Sequence, residues 1–374
     1  MKIAQIAPPW LAIPPKNYGG TEQVLYTLVE ELVALGHDVT LFATAAAKTS
    51  ARLVSFLPKT LREEGVPWSD HLKAFYHLQL ALQYIAEHDF DIVHTHLSSA
   101  ADLYIFPMTA GLALPHVATL HSRFPFDRVQ NWIGDADDFY LEQWAASVPT
   151  VAISEQARDT APEKLNVIDV VYNGLSTRDF VPTRASRGDF LVWLGRFVPE
   201  KGVHLAIEAA KRAQRPIVLA GTVDRYQQAS MSYFADVIKP LLDNDQVKYI
   251  GPVNQKQKIS LLSRAYGFLN PIEWEEPFGM VMIEAMALGC PVISFARGAA
   301  PELIVDGQTG FLVDTLDEMV ERIPRIADLD RHAARSHVEE HFSARTMAEG
   351  YLRVYRALAG VPVRQVGNAR QLTR

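Results

Sequence analysis

Apolar positions along the chain recur at two alternating spacings. Lys2–Ala7 is a short apolar run of strand length. Thr21–Leu35 then carries Val24, Leu25, Leu28, Val29, Leu32 and Val33 at the i, i+4, i+8 spacing of one helix face. Thr21 is placed to cap that helix and Gly36 to stop it, ahead of a second run at Val39–Thr44. Strand, helix and strand in this order make a βαβ unit, which joins parallel strands. Further strands are expected at Ile92–His94, Val117–Leu120, Thr150–Ile153 and Val167–Tyr172, with a helix at Leu72–Glu87.

Ser176–Asp189 is polar, holds Pro182 and Gly188 and lacks periodicity, so it reads as a linker. A second series follows. Its strands are Phe190–Leu194, Ile217–Ala220, Val247–Ile250, Gly267–Asn270 and Pro291–Phe295. Its helices are Val203–Ala213, Gln227–Leu242, Gln255–Ala265, Gly279–Leu288 and Leu316–Ile326. The alternation predicts an α/β chain of two doubly wound, Rossmann-like domains, one over residues 1–180 and one over 186–342. A last helix, Ala344–Leu358, is capped by Ser343 and aligns Met347, Tyr351, Val354, Tyr355 and Leu358 on one face. It is expected to cross back to the first domain, and the polar tail at 361–374 is expected to be disordered. Sheets of this kind bind ligands beyond their C-terminal strand ends, and two such ends can face one another across a cleft.

Composition narrows the picture. With 374 residues, 48% of them apolar and 21% charged, the chain is globular and long enough for two cores. A net charge of −7 argues against broad nucleic-acid binding. The one cysteine, Cys290, cannot form a disulfide within the chain, which fits a reducing, cytoplasmic setting. No leader-like segment precedes the first strand, and no run of about 18 uninterrupted apolar residues suggests a membrane span. Leu72–Glu87 offers only Lys73 and two histidines as basic groups, so peripheral contact with the inner membrane face is only weakly suggested.

Three constellations carry chemistry. Gly19-Gly20-Thr21-Glu22 opens the first helix, where glycine lets a ligand approach the backbone; the plain alternative is a tight turn. Arg196 and Lys201, within Gly195–Gly202, sit at a strand end where a fork of donors and a point charge suit a phosphate; the alternative is a solvated turn. Glu276 and Glu284 bracket the start of a helix that is apolar nearly all round. The N–H groups of Phe278, Gly279 and Met280 would face an anion there, while the two carboxylates would accept bonds from sugar hydroxyls. The combination points to a ligand with both phosphate and sugar. His94 and His96 share a strand face, but no third ligand at metal-binding spacing accompanies them; His121 ends a strand. Asp-x-Asp occurs at Asp89–Asp91, Asp135–Asp137, Asp243–Asp245 and Asp328–Asp330, too often to mark a metal.

With these residues assembled, the chain resembles the family-4 glycosyltransferases, retaining enzymes of the GT-B fold. The likeness is most specific at Gly195–Gly202 and Glu276–Ile293. Gly19-Gly20, Ile92–His96, Thr119–Ser122, Ala152–Ser154, Asn173-Gly174 and Gly298–Val313 support it. The resemblance implies a UDP- or GDP-type sugar donor as substrate, no separate cofactor and no metal requirement. It also implies a small-molecule, glycan or lipid-linked acceptor bound by the first domain. By the same resemblance Arg196 and Lys201 neutralise the diphosphate, Glu284 binds the ribose, and Glu276 with Phe278, Gly279, Met280 and Val281 holds the donor sugar. Gly20 closes the pyrophosphate site, and His121 contacts the sugar near the reacting carbon. Gly221-Thr222-Val223-Asp224 departs from relatives that carry a second glycine there, which leaves base recognition open. The other readings are a sugar-nucleotide epimerase, a phosphorylase or an inactive binding protein on the same fold. The phosphorylase lacks any clear pyridoxal-phosphate lysine signature, and the intact Arg196, Lys201, Glu276 and Glu284 argue against the inactive protein.

Overall fold

The computed structural model describes all residues except 17–18, 69, 99, 123, 125–135, 185, 187, 226 and 361–374. The tail at 361–374 and Asp135 therefore lie outside the described residues. The first half runs β1 (Lys2–Ile6), α1 (Gly20–Ala34), β2 (Asp38–Phe42), β3 (Arg52–Val54), α2 (Leu72–Ala86), β4 (Ile92–Leu97), α3 (Ile105–Thr109), β5 (His116–Leu120), α4 (Ala136–Gln143), β6 (Thr150–Ala152), α5 (Glu155–Asp159) and β7 (Val167–Val170). The second half runs β8 (Leu191–Arg196), α6 (Val203–Arg212), β9 (Ile217–Thr222), α7 (Gln228–Ser232), β10 (Val247–Tyr249), α8 (Gln255–Arg264), β11 (Gly267–Asn270), α9 (Met280–Ala287), β12 (Val292–Phe295), α10 (Ala300–Leu303), β13 (Gly310–Val313), α11 (Leu316–Arg322), α12 (Arg331–His341) and α13 (Ala344–Leu358).

Two sheets result, a seven-stranded one ordered β3-β2-β1-β4-β5-β6-β7 and a six-stranded one ordered β10-β9-β8-β11-β12-β13. All strand pairs within them are parallel. Each order reverses once, between β1 and β4 and again between β8 and β11. Such a reversal splays the flanking helices apart and leaves a crevice beyond the strand ends. The fold is thus the two-sheet α/β architecture expected from the alternation. Among the described residues no helix is long and apolar enough to cross a membrane.

Some boundaries differ from expectation. α1 begins at Gly20 after an extended Gly19, so Thr21 already lies inside the helix and gives no side-chain cap. The helix expected over Gln227–Leu242 is α7 followed by a π-helical stretch, Tyr233–Ile238, and a 3₁₀ turn, Lys239–Leu241. The one expected over Leu316–Ile326 stops at Arg322, and Pro324 opens a separate 3₁₀ turn because it has no N–H to continue the ladder. Phe180, in the segment read as a linker, is buried in the second core.

α13 packs along α1, with Met347, Tyr351, Val354 and Tyr355 in the same apolar cluster as Val24, Leu25 and Leu28. The Ser343 hydroxyl caps it, accepting from Thr346 N–H at 3.1 Å. Under this helix lie the unusual members of the first core, histidines on β4 and β5.

Burial holds His94 and His96 well below their ordinary value of 6.5, His77 and His116 at about 4, and His121 at about 3. Below the ordinary value the unfolded chain binds protons that the folded chain refuses, so stability falls as pH drops. Glu22 has the opposite sign: burial raises it from 4.5 to about 7, and between those values the fold keeps a proton that the unfolded chain releases. Five rings outweigh one carboxyl. Urea unfolding from about pH 7 to about pH 5 should show a falling midpoint, with each histidine contributing up to about 1.4 kcal/mol per pH unit. A flat midpoint would mean that these rings protonate inside the fold.

Candidate active site at the sheet ends

β8 delivers Arg196 to the end of the second sheet, beside the reversal. The chain then turns through Pro199–Lys201 into Gly202, whose φ of 64° suits glycine. A Cβ at Gly202 would lie 1.8 Å from the carbonyl oxygen of Pro271, just past β11. Only glycine lets the loop press so closely on the neighbouring strand end. Trp193 Nε1 also donates to the Lys201 carbonyl at 3.1 Å. Thus fixed, the Lys201 ammonium ion-pairs with Glu276, each side chain 17% exposed. It also lies 5.4 Å from the centre of the Trp274 ring.

Glu276 is braced from the other side. Gly298, with φ 57°, lets the loop after β12 lie against the Glu276 backbone, where a Cβ would come within 2.4 Å. Ala299 N–H donates to the Glu276 carbonyl at 3.0 Å, and Gly298 N–H to Glu275 Oε2 at 2.7 Å. The buried ring of Phe278 anchors the next turn in the core. Gly279, at φ 92°, then starts α9 without a side-chain cap. The N–H groups of Met280 and Val281, at the helix start, have no acceptor within the helix, while Met282 N–H turns back to the Gly279 carbonyl at 2.9 Å. Glu284, further along α9, is buried, and its carboxylate meets the Lys258 ammonium of α8 at 2.5 Å.

In the first sheet His121 follows β5 directly, its N–H donating to the Leu97 carbonyl at 2.9 Å. Its Nε2 lies 2.9 Å from His96 Nδ1. His94 is in turn bonded to Tyr355 and Thr119, and His96 also to Gln5, so these rings serve one another. Among the described residues no group of three acidic, histidine or cysteine side chains could hold a metal. Gly20 is exposed at the start of α1, with open space where a Cβ would be.

The two sheets meet along a seam. Leu120 and Ser122 of the first line one crevice with Glu275 and Pro277 of the second. Ser154 Oγ donates to the Pro277 carbonyl at 2.6 Å. The Glu302 carboxylate accepts from Glu155 N–H and Gln156 N–H, each at 2.8 Å, and from the Tyr172 hydroxyl at 2.9 Å. Burial and that carboxylate raise the Tyr172 phenol above its ordinary range. Met280, the first residue of α9, packs against the cores of both halves.

Lys201 and Glu276 are thus in contact, and Phe278, Gly279, Met280 and Val281 continue directly from them. The residues flanking His121 and Glu276 share a crevice. Glu284 pairs with Lys258, not with Arg196 or Lys201. Gly20 is joined to the other candidates by no hydrogen bond or ion pair among the described residues. Lys258 was not singled out in the sequence, and Ser154 and Glu302, which lie in stretches quoted for the resemblance, were given no role there. Lys258 lies on a polar helix face and Glu302 in a four-residue helix, and neither carries a local signal.

Two family descriptions match consecutive stretches of the chain: "Glycosyltransferase Family 4" over residues 18–179 and "Glycosyl transferases group 1" over 177–339. A spore coat protein SA of Bacillus subtilis is 23% identical across 95% of this chain and 99% of its own length. A phosphatidyl-myo-inositol mannosyltransferase of Mycolicibacterium smegmatis is 25% identical across 99% and 97%. Among solved structures, sucrose-phosphate synthase from Thermosynechococcus elongatus superposes with a TM-score of 0.75 at 20% identity, over 96% of this chain and 99% of that one. Anabaena HepE in complex with UDP and glucose gives 0.68 at 18%, over 96% and 100%. Two matched halves meeting at the linker, on two sheets that face across a crevice, place this chain among the family-4 glycosyltransferases of the GT-B fold.

Proposed function

We propose that the protein moves a hexose-type sugar from a nucleotide-diphospho-sugar to an acceptor hydroxyl with retention of anomeric configuration. The observation that carries this reading is the Lys201–Glu276 ion pair, formed in the loop that follows Arg196 at the end of β8, where the second sheet reverses. An incoming diphosphate supplies the charge that Lys201 now finds in Glu276. Glu276 is then released to accept a bond from a donor-sugar hydroxyl. Glu284 stands ready for the ribose diol in the same way, with Lys258 as its present partner.

The chemistry follows from charge flow. As the bond between sugar and phosphate stretches, negative charge gathers on the diphosphate and positive charge on the anomeric carbon. Arg196, Lys201 and the N–H groups opening α9 are fixed donors aimed at the leaving group, and they need no reorientation as the charge develops. A diphosphate oxygen takes the acceptor proton, and the acceptor attacks from the face the leaving group vacates. His121 meets the donor sugar from the first sheet, Gly20 closes over the pyrophosphate, and the first half holds the acceptor. The donor is of UDP or GDP type, and the UDP-glucose complex of Anabaena HepE favours the former. An epimerase on this fold would interconvert the donor without releasing nucleoside diphosphate.

Incubation with UDP- and GDP-sugars should release nucleoside diphosphate, faster when the acceptor is present. Epimers without release, or binding without turnover, would overturn the assignment. Arg196→Ala should lower kcat by about a hundredfold or more while donor KM changes little, because its charge matters most in the transition state. Unchanged turnover would remove it from the leaving-group role. Turnover should persist in a chelator, since these cations are proposed to meet the diphosphate charge. Glu302→Ala should cost about 2 kcal/mol in urea unfolding, the scale of hydrogen bonds to a charged acceptor, because it strips the seam of three bonds.

A further inference from the structure

The reading of His121 as a donor-sugar contact leaves open which ring nitrogen meets the sugar. The structure supplies a buried chain of hydrogen bonds that decides it. Gln5, His94, Thr119 and Tyr355 are 0% exposed, and His96 and Tyr351 are 1% exposed, so the chain is closed to water. Burial also keeps both strand histidines neutral, each with one donor and one acceptor nitrogen.

Gln5 sets the direction. Its Nε2 donates to the Tyr355 hydroxyl at 2.9 Å, which turns its Oε1 toward His96 Nε2 at 2.9 Å. An amide oxygen only accepts, so His96 donates from Nε2 and must accept at Nδ1. The atom 2.9 Å from that Nδ1 is His121 Nε2, which therefore carries the proton. In the other direction, the Tyr355 O–H points to His94 Nδ1 at 2.7 Å and His94 Nε2–H to Thr119 Oγ1 at 2.6 Å. The Thr119 hydroxyl then turns to Tyr351 at 2.9 Å. Every link has one proton and none has two. Turning the Gln5 amide over would reverse the whole chain.

We infer that Gln5 and Tyr355 are positioning residues for His121: acting through His96, they hold it as the Nε2–H tautomer, with Nδ1 as a lone pair for a hydroxyl of the donor sugar. The inference rests on the proposed role of His121, and it gives α13, the helix that returns from the second half, a part in the first-sheet site.

The test is the ¹⁵N spectrum of the imidazoles, with His121 assigned by its loss in His121→Gln. The unmodified protein should show His121 protonated at Nε2 and bare at Nδ1. In Tyr355→Phe the Gln5 amide loses its acceptor, and the His121 signals should move toward the tautomer average. Donor KM should then rise about fivefold to tenfold, the equivalent of one lost hydrogen bond, with acceptor KM unchanged. Protonation at Nδ1 in the unmodified protein would overturn the inference, and that spectrum decides even if the variant fails to fold. An unchanged tautomer and donor KM in a folded Tyr355→Phe would also overturn it. Full turnover in His121→Ala alongside the expected spectrum would instead strike the proposed role of His121 and leave the chain of bonds standing.

Discussion

A carboxylate taken out of water must be matched, and the second half of this molecule is arranged around two that are. Glu276 and Glu284 stand before and within α9, and each meets one ammonium, from Lys201 and Lys258. Removing one partner of such a pair typically costs about 3–5 kcal/mol, whereas the intact pair adds little net stability. The pairs are therefore poor fasteners and good placeholders, since a ligand that brings both phosphate and hydroxyls can exchange with them without leaving a charge unmet. The local backbone serves this arrangement. Gly202 lets Lys201 come in over the end of β11, and Gly298 lets the following loop back up Glu276. A side chain at either glycine would push one ion away from the other.

These charges can act on a sugar only if the first sheet stands opposite them. Glu302 is the polar part of that constraint. It reaches from α10 to the start of α5, where a carboxylate is favoured by the free N–H groups, and takes the Tyr172 hydroxyl as well. Met280 is the apolar part, wedged between the two cores at the very start of the helix that would face the diphosphate. Separating the halves would break both contacts at once and disturb the helix start proposed to meet the ligand. The position of α9 is thus fixed by the first half as much as by its own sheet.

The fold was legible wherever apolar runs were long and regular. The strands around both reversals and the helix at 344–358 follow from pattern alone, and the Ser343 cap is local geometry. The missed elements had weak patterns. β3 is a three-residue edge strand that begins with Arg52, and α12 buries only Ala334 and Val338, too thin a stripe to read. Gly19 hid the true start of α1, because an extended glycine takes the cap position two residues ahead of Thr21. In the candidate site the acidic and basic residues could be picked out, but their partners could not. Lys258 lies 26 residues from Glu284, and Tyr172 lies 130 from Glu302. Such pairings are set by sheet order and helix packing, which no local spacing encodes.

The histidines carry the same lesson further. Two of them on one face of β4 do stand together, their ring centres 4.1 Å apart, as their spacing requires. What they do is decided by Gln5 on β1 and by two tyrosine hydroxyls on α13, a helix whose apolar stripe had suggested packing alone. Stability does not explain this arrangement. A buried polar chain must satisfy every member, and replacing both partners of a buried hydrogen bond with apolar groups of similar shape can be nearly neutral. A core selected only for cohesion would therefore have no need of hydroxyls at Tyr351 and Tyr355 or of imidazoles at His94 and His96. The chain runs to His121, whose neighbours Leu120 and Ser122 line the crevice, and the orientation of that ring is what the buried polar groups are placed to hold.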